Sequence, residues 1–301
     1  MIRRAAIRPT AIAVPFLFIL SAFASPARAE KAQVLRFRHT PGDKAVYSFS
    51  VSSRAEATEK GGESVRAEVT VQMKCPVEFL GDTASGDWGV LGEITTGVMK
   101  VKSGGEEQSL DFGDVKARYV ISPSGEITSL RLLSGNPPVL QFAGGVLALG
   151  PEDAFALAGT AIFPDTPLTQ GDTWKGVASV PSIFSGRAHD VPYQSVLLGE
   201  ERFKGAVCKR IKTTRSILIE DTAQAPDGSG EAYVKVKTSG AYIWLFDPQR
   251  GVIMSIQGSE NIAVTTTVEQ TGQKLLGVAA TGVVNTRSLL TEFNGITLSA
   301  Q

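Results

Sequence analysis

The chain is patterned with a period of two. From Arg66 to Phe79, the residues Ala67, Val69, Val71, Met73, Cys75, Val77 and Phe79 alternate with Arg66, Glu68, Thr70, Gln72, Lys74 and Glu78. Successive side chains of a strand point to opposite faces. The run therefore predicts an antiparallel strand with one covered and one wet face. Lys44–Ser52 alternates in the same way, with Ala45, Tyr47, Phe49 and Val51 on one side. Trp88, Val90, Gly92, Ile94 and Thr96 begin a further strand. Its phase slips at Gly97, after which Met99 and Val101 carry the apolar side. A glycine at such a slip predicts a β-bulge. Tyr119–Ile121 and Ile127–Leu133 flank Ser122-Pro123-Ser124-Gly125, a hairpin signal.

The second half repeats the habit. Strands are predicted at Trp174–Val180, Tyr193–Leu198, Val207–Ile219, Tyr233–Phe246, Val252–Val268 and within Leu275–Phe293. In Tyr233–Phe246 both phases are apolar near the end, where Tyr242, Trp244 and Phe246 alternate with Ile243 and Leu245. That strand is expected to be covered on both faces. The middle, Pro138–Ile162, has no alternation and is rich in Ala and Leu. Pro151-Glu152-Asp153 suits the first turn of a helix, which predicts a helix over Pro151–Thr160.

Two landmarks recur at similar spacing. Gly42-Asp43 and Gly171-Asp172 lie 129 residues apart, and each leads into an aromatic-bearing strand. The turn at Pro123-Ser124-Gly125 and the one at Pro248-Gln249-Arg250-Gly251 lie about 125 apart. The expected fold is mainly β: two related curved antiparallel sheets, an internal duplication, with a short helical connector. The first half is placed at 30–135, the connector at 136–165 and the second half at 166–301. Whether they form one continuous domain or two is open at this level.

The first 29 residues read as a targeting segment, with Arg3, Arg4 and Arg8 before an apolar run from Ile12 to Ala24 and a small-x-small site at Ala27-Arg28-Ala29. The run is short for a membrane span, and no later stretch is long and apolar enough. Cleavage after Ala29 and a periplasmic or secreted location are expected. Removing four arginines leaves 26 basic against 30 acidic side chains, a net charge of −4. That balance excludes a basic footprint for nucleic acid and a polybasic membrane patch.

Catalytic signatures are missing: the chain has no phosphate-binding glycine loop, no H-E-x-x-H, no C-x-x-C and no G-x-S-x-G. His39 and His189 are the whole imidazole inventory, both in polar turn or loop contexts. Asp227-Gly228-Ser229-Gly230-Glu231 lacks the carboxylates a calcium loop needs. No cofactor or metal is expected, and the protein reads as a non-enzyme. Cys75 shares a strand face with Val71, Met73 and Val77, whereas Cys208 shares one with Arg210 and Lys212. This phase disfavours a Cys75–Cys208 disulfide and places Cys208 at the surface. Trp88, Trp174 and Trp244 each fall on a predicted strand. Together with Phe142 and Phe155 they are the candidate walls of an apolar binding cleft, although core packing is the simpler reading of the tryptophans.

The secretion-type start, the P-G-D-x-x-x-Y of Pro41–Tyr47 and the P-x-x-P-L-x-x-G-D-T-W of Pro164–Trp174 together resemble uncharacterised families of bacterial secreted β-proteins with repeated Gly-Asp-aromatic motifs. Those families carry no assigned catalytic residues. More distantly, curved sheets with a helical cover are similar to periplasmic lipoprotein carriers. The first expectation is an envelope protein that binds an apolar or lipid-like ligand in a cleft between sheet and connector. The alternative is a structural or interaction module that binds an envelope protein or polymer and takes no small ligand. A hydrolase ranks third.

Overall fold

In the computed structural model the described residues are 32–59, 64–83, 86–135, 139–142, 145–148, 162–181, 188–224, 231–270 and 273–298. They form strands and connections and contain no helix long and apolar enough to cross a membrane. The targeting segment and Pro151–Thr160, with Phe155, lie outside them.

Strands β1 (Lys44–Glu59) and β2 (Ser64–Asp82) pair along nearly their whole length. Strands β3 (Trp88–Ile94) and β4 (Thr96–Ser103) both lie against β2, as two parts of one run interrupted at Thr95. Strands β5 (Glu106–Phe112) and β6 (Val115–Ile121) return along β4 and β3, and β7 (Ile127–Ser134) pairs with β6. A separate hairpin joins β8 (Val139–Phe142) to β9 (Gly145–Ala148). Strands β10 (Thr173–Pro181), β11 (Ala188–Phe203), β12 (Ala206–Gln224), β13 (Glu231–Asp247), β14 (Val252–Gln270) and β15 (Gln273–Phe293) then pair in succession. Strand β15 also pairs with β1, from Ala45 opposite Phe293 to Glu59 opposite Val278. A two-residue strand, β16 (Ile296–Thr297), folds back on β15.

The outcome is one antiparallel sheet in the order β10-β11-β12-β13-β14-β15-β1-β2-β3-β6-β7. The expected pair of separate related sheets does not form, and the duplication is not supported at that level. The physical reason lies at β1 and β15. Each long strand presents a free row of N–H and C=O groups, and pairing the two satisfies both rows and fuses the halves. The helical connector is likewise not supported: the described part of Pro138–Ile162 contains the β8–β9 hairpin. The phase slip sits at Thr95 rather than Gly97. Gly97 serves a different purpose, since the Phe112 ring occupies the place of its missing Cβ.

The core gathers at one end of the strands. Trp244, Phe246, Ile211, Leu197, Met254, Ile256, Leu290, Val90 and Val115 are fully buried there. It is capped by two extended segments that hydrogen-bond at Gln33 and Leu168. Their side chains Leu35, Phe37, Phe163 and Leu168 enter the core. Phe37 packs on Phe163 and Phe246, with ring centroids 5.5 and 5.3 Å apart. The capping segments also reach the β6–β7 turn, where Phe37 N–H donates to Pro123 O and Phe163 N–H to Ser124 O. As expected from its doubly apolar pattern, the end of β13 buries Leu245 as well as Tyr242, Trp244 and Phe246, while Ile243 stays half-buried.

Candidate functional site

Strand register sorts the core-side face into rows that run across the sheet. The first row holds Leu197, Ile211, Trp244, Ile256, Ser288, Phe49 and Met73, and it belongs to the packed core. The second holds Ser195, Thr213, Tyr242, Gly258, Thr286, Val51 and Val71. Ser195 and Thr213 share a buried hydroxyl–hydroxyl bond of 2.8 Å. The third row is Tyr193, Arg215, Gly240, Glu260, Val284, Ser53 and Val69. Beyond it the face turns apolar and small: Ile217, Thr238, Ile262, Gly282, Ala55 and Ala67, then Val236, Val264, Ala280, Ala57 and Val65. These two rows carry no charge. Ile217, Val236, Ile262, Val264, Ala280, Ala55 and Val65 are only half-buried, in contrast to the filled first row.

The third row is the chemical anomaly. Arg215 Nε donates to Glu260 Oε1 at 2.5 Å and Nη2 donates to Tyr242 Oη at 3.0 Å. The guanidinium carbon also lies 4.7 Å from the centre of the Tyr242 ring. Both charged side chains are nearly out of solvent, at 13% and 10% exposure. Burial alone would lower the Arg215 pKa; the Glu260 carboxylate and the Tyr242 hydroxyl more than offset that, so the net direction is upward. Two glycines make the arrangement possible. The Glu260 side chain occupies the place of a Cβ on Gly240, and the Tyr242 ring lies over Gly258. One place further along β13, Thr238 is 8% exposed and its Oγ1 has no hydrogen-bond partner.

The residues singled out from sequence sit elsewhere. Trp244 and Trp174 are core residues, and Trp174 Nε1 donates to Ile162 O at 2.7 Å. Trp88 packs edge-on against His39, with ring centroids 5.7 Å apart. Phe142 lies on β8; its side chain, like the whole of Phe155, is outside the described residues. None of the three tryptophans stands in the half-exposed apolar rows. The sequence signal for the charged row was present but unread. Arg215 interrupts an apolar phase of Ile211, Ile217 and Ile219, and Gly240 and Gly258 fall mid-strand, where glycine packs poorly unless something lies over it.

A shallow cleft of about 610 Å³ crosses β13, β14, β15, β1 and β2. One wall is the row Lys237, Ala263, Thr281, Glu56 and Arg66; the other is Ser239, Asn261, Val283, Arg54 and Glu68. Between the walls the row Thr238, Ile262, Gly282, Ala55 and Ala67 forms the floor, and the next core-side residues on either flank, Ser53, Ala57, Val69 and Val284, do not line it. The cleft therefore opens on the face away from the core. Cross-strand ion pairs Arg54–Glu68 (2.9 Å) and Arg66–Glu56 (3.4 Å) stand at one end.

The thiols and imidazole are not arranged for chemistry. Cys75 and Cys208 are free and fully buried, and burial pushes both thiols up to about 12, so neither forms a ready thiolate. Cys208 is not at the surface as its strand phase had suggested. Its neighbour Lys209 is buried too, so alternation fails here, next to the register slip of β11 between Leu197 and Gly199 that lies opposite Ile211 and Arg210. His39 stacks on Phe79 at 3.6 Å, and burial lowers its pKa to about 4 against the opposing pull of Asp43. Among the described residues no group of three or more His, Cys, Asp or Glu could hold a metal ion.

No family model and no curated protein matches the chain. Among solved structures it is similar to a structure of lipovitellin, described for its lipid–protein interactions. The identity is 13% and the TM-score 0.46, over 88% of this chain and 26% of that one. The chain thus spans about a quarter of that neighbour, and a likeness at this level does not extend to a shared ligand.

Proposed function

We propose that this is an exported envelope protein without catalytic activity that holds a lipid-like, long-chain ligand against the core-side face of its sheet. The observation that carries the reading is the pair of uncharged rows around Ile262 and Ala280, most of whose side chains stay half-buried, with Ala57, Ala67 and Thr238 buried among them, next to a core that is otherwise packed shut. At about 0.8 kcal/mol per buried methylene, a ligand needs on the order of ten methylenes there to offset an association cost of roughly 4–15 kcal/mol. Long chains are therefore favoured over small apolar molecules. The test is native mass spectrometry, with lipid extraction, of protein purified from its own envelope, joined to titration with a fluorescent long-chain probe. A co-purifying lipid and saturable probe binding are expected. Ala55→Phe, which fills the small-residue row, should weaken the probe about tenfold, or about 1.4 kcal/mol. Absence of both lipid and probe binding would overturn the reading.

The cleft on the opposite face favours a second reading, an interaction module for an envelope protein or polymer, because its walls carry Lys237 at one end and the alternating charges Arg54, Glu56, Arg66 and Glu68 at the other. Charge reversal at Arg54 and Arg66 would abolish such binding and leave lipid binding unchanged.

A further inference from the structure

We infer that the ligand held on the core-side face is an amphiphile with a neutral, oxygen-bearing head, a hydroxyl or ester rather than a carboxylate, and that this head sits at Arg215 and Thr238. The inference rests on the lipid reading above and deepens it. It starts from position. The charged row lies between the closed core and the apolar rows, so a chain that crosses those rows in the strand direction would end there. It continues with the hydrogen bonds left over. Glu260 and Tyr242 take Nε and Nη2 of Arg215. Nη1 of Arg215 makes no hydrogen bond to a described residue beside these two, and Thr238 Oγ1, on a residue more than nine-tenths buried, is a buried hydroxyl without a partner. A buried hydroxyl without a partner is costly. An oxygen at the end of an apolar chain, accepting from Nη1 and from the Thr238 hydroxyl, would satisfy both.

Electrostatics decides the class of head. Arg215 and Glu260 neutralise each other, so the row carries no net charge. A carboxylate or phosphate head would add a negative charge beside Glu260 in a poorly solvated place, which is unfavourable unless a countercharge is free. A hydroxyl or ester adds none. The acidic partner thus acts as the selectivity element: it withholds the charge of Arg215 from anionic lipids while leaving one of its donors open.

The experiment compares 1-monopalmitoylglycerol, methyl palmitate and palmitate, with a neutral fluorescent long-chain probe as reference. At pH 8 the wild type should bind monopalmitoylglycerol about tenfold more tightly than palmitate. Glu260→Gln frees the charge of Arg215 and should reverse that order, and palmitate should raise the melting temperature of this variant. Thr238→Val should weaken monopalmitoylglycerol several-fold and leave the reference probe unchanged; this readout stands even where Glu260→Gln fails to fold. If the probe binds but palmitate equals or exceeds monopalmitoylglycerol in the wild type, the head-group inference is overturned and the lipid reading survives. If Thr238→Val weakens both ligands equally, the inference is overturned as well. If the probe does not bind at all, the lipid reading fails and takes the inference with it.

Discussion

At the residue scale, His39 shows how burial turns a common side chain into a pH-dependent liability. Its imidazole lies flat on Phe79 and its Nδ1 has no partner. Folded, it titrates at about 4; unfolded, near its ordinary 6.5. Above 6.5 it is neutral in both states. As pH falls from 6.5 towards 4 only the unfolded chain takes the proton, so stability falls across that window and levels off below it. The gap corresponds to about 3 kcal/mol. Denaturant unfolding at pH 7 and pH 4 should show wild type losing about that much more than His39→Phe, and equal losses would refute it. The buried thiols give a second test. Cys75→Ser and Cys208→Ser should each cost about 1–3 kcal/mol, since each puts a hydroxyl in a fully buried place. A Cys208 variant with unchanged stability would contradict its burial. Gly240→Ala should be worse tolerated than most mid-strand glycine changes, because the new Cβ meets both Glu260 Cγ and the Ser259 carbonyl. Overpacking of this kind costs about 1–3 kcal/mol.

At the element scale, the two Gly-Asp turns are built alike. In the first, Gly42 N–H donates to Phe79 O, Phe79 N–H donates to Asp43 O, and the Thr40 N–H is capped by Asp43 Oδ2 at 2.7 Å. In the second, Gly171, Leu197 and Asp172 make the same bonds, and Asp172 Oδ2 caps the Thr169 N–H at 2.7 Å. Gly42 and Gly171 both have φ near +90°, a conformation that only glycine adopts without strain. Asp43→Ala and Asp172→Ala should therefore cost similar amounts, about 0.5–1.5 kcal/mol each, as read from denaturant midpoints. Strongly unequal losses would mean that the turns are not mechanically equivalent. The likeness is local: beyond the turns the first half breaks its returning strands at Thr95 and at Gly113-Asp114, and the second half runs unbroken.

At the scale of the whole molecule, the joint between β15 and β1 is the feature on which the single sheet depends. Ending the chain before Gln273 would strip β14 and β1 of a common partner and leave two long bare edges, the arrangement most prone to edge-to-edge aggregation. The shortened chain should lose its soluble monomer on gel filtration; a stable, cooperatively unfolding monomer would show that the halves fold independently after all.

What the sequence determined by itself was local. Period-two alternation put Ala45, Tyr47, Phe49, Cys75, Val77 and Phe79 on the covered face, because side-chain direction along a strand follows from the backbone alone. Glycine with aspartate marked the turns for an equally local reason. Partners were not legible. Lys44 and Asn294 are hydrogen-bonded although 250 residues apart, and nothing in either segment names the other. The charged row was hidden for the same reason. Arg215, Gly240 and Glu260 become one group only when β12, β13 and β14 take their register. The burial of Cys208 was likewise not legible in its own strand: β12 stops alternating there, close to a slip in β11 between Leu197 and Gly199, opposite Ile211 and Arg210. Alternation is a property of one strand; pairing, register and the bulges that shift it are decided between strands, and only the tertiary structure supplies them.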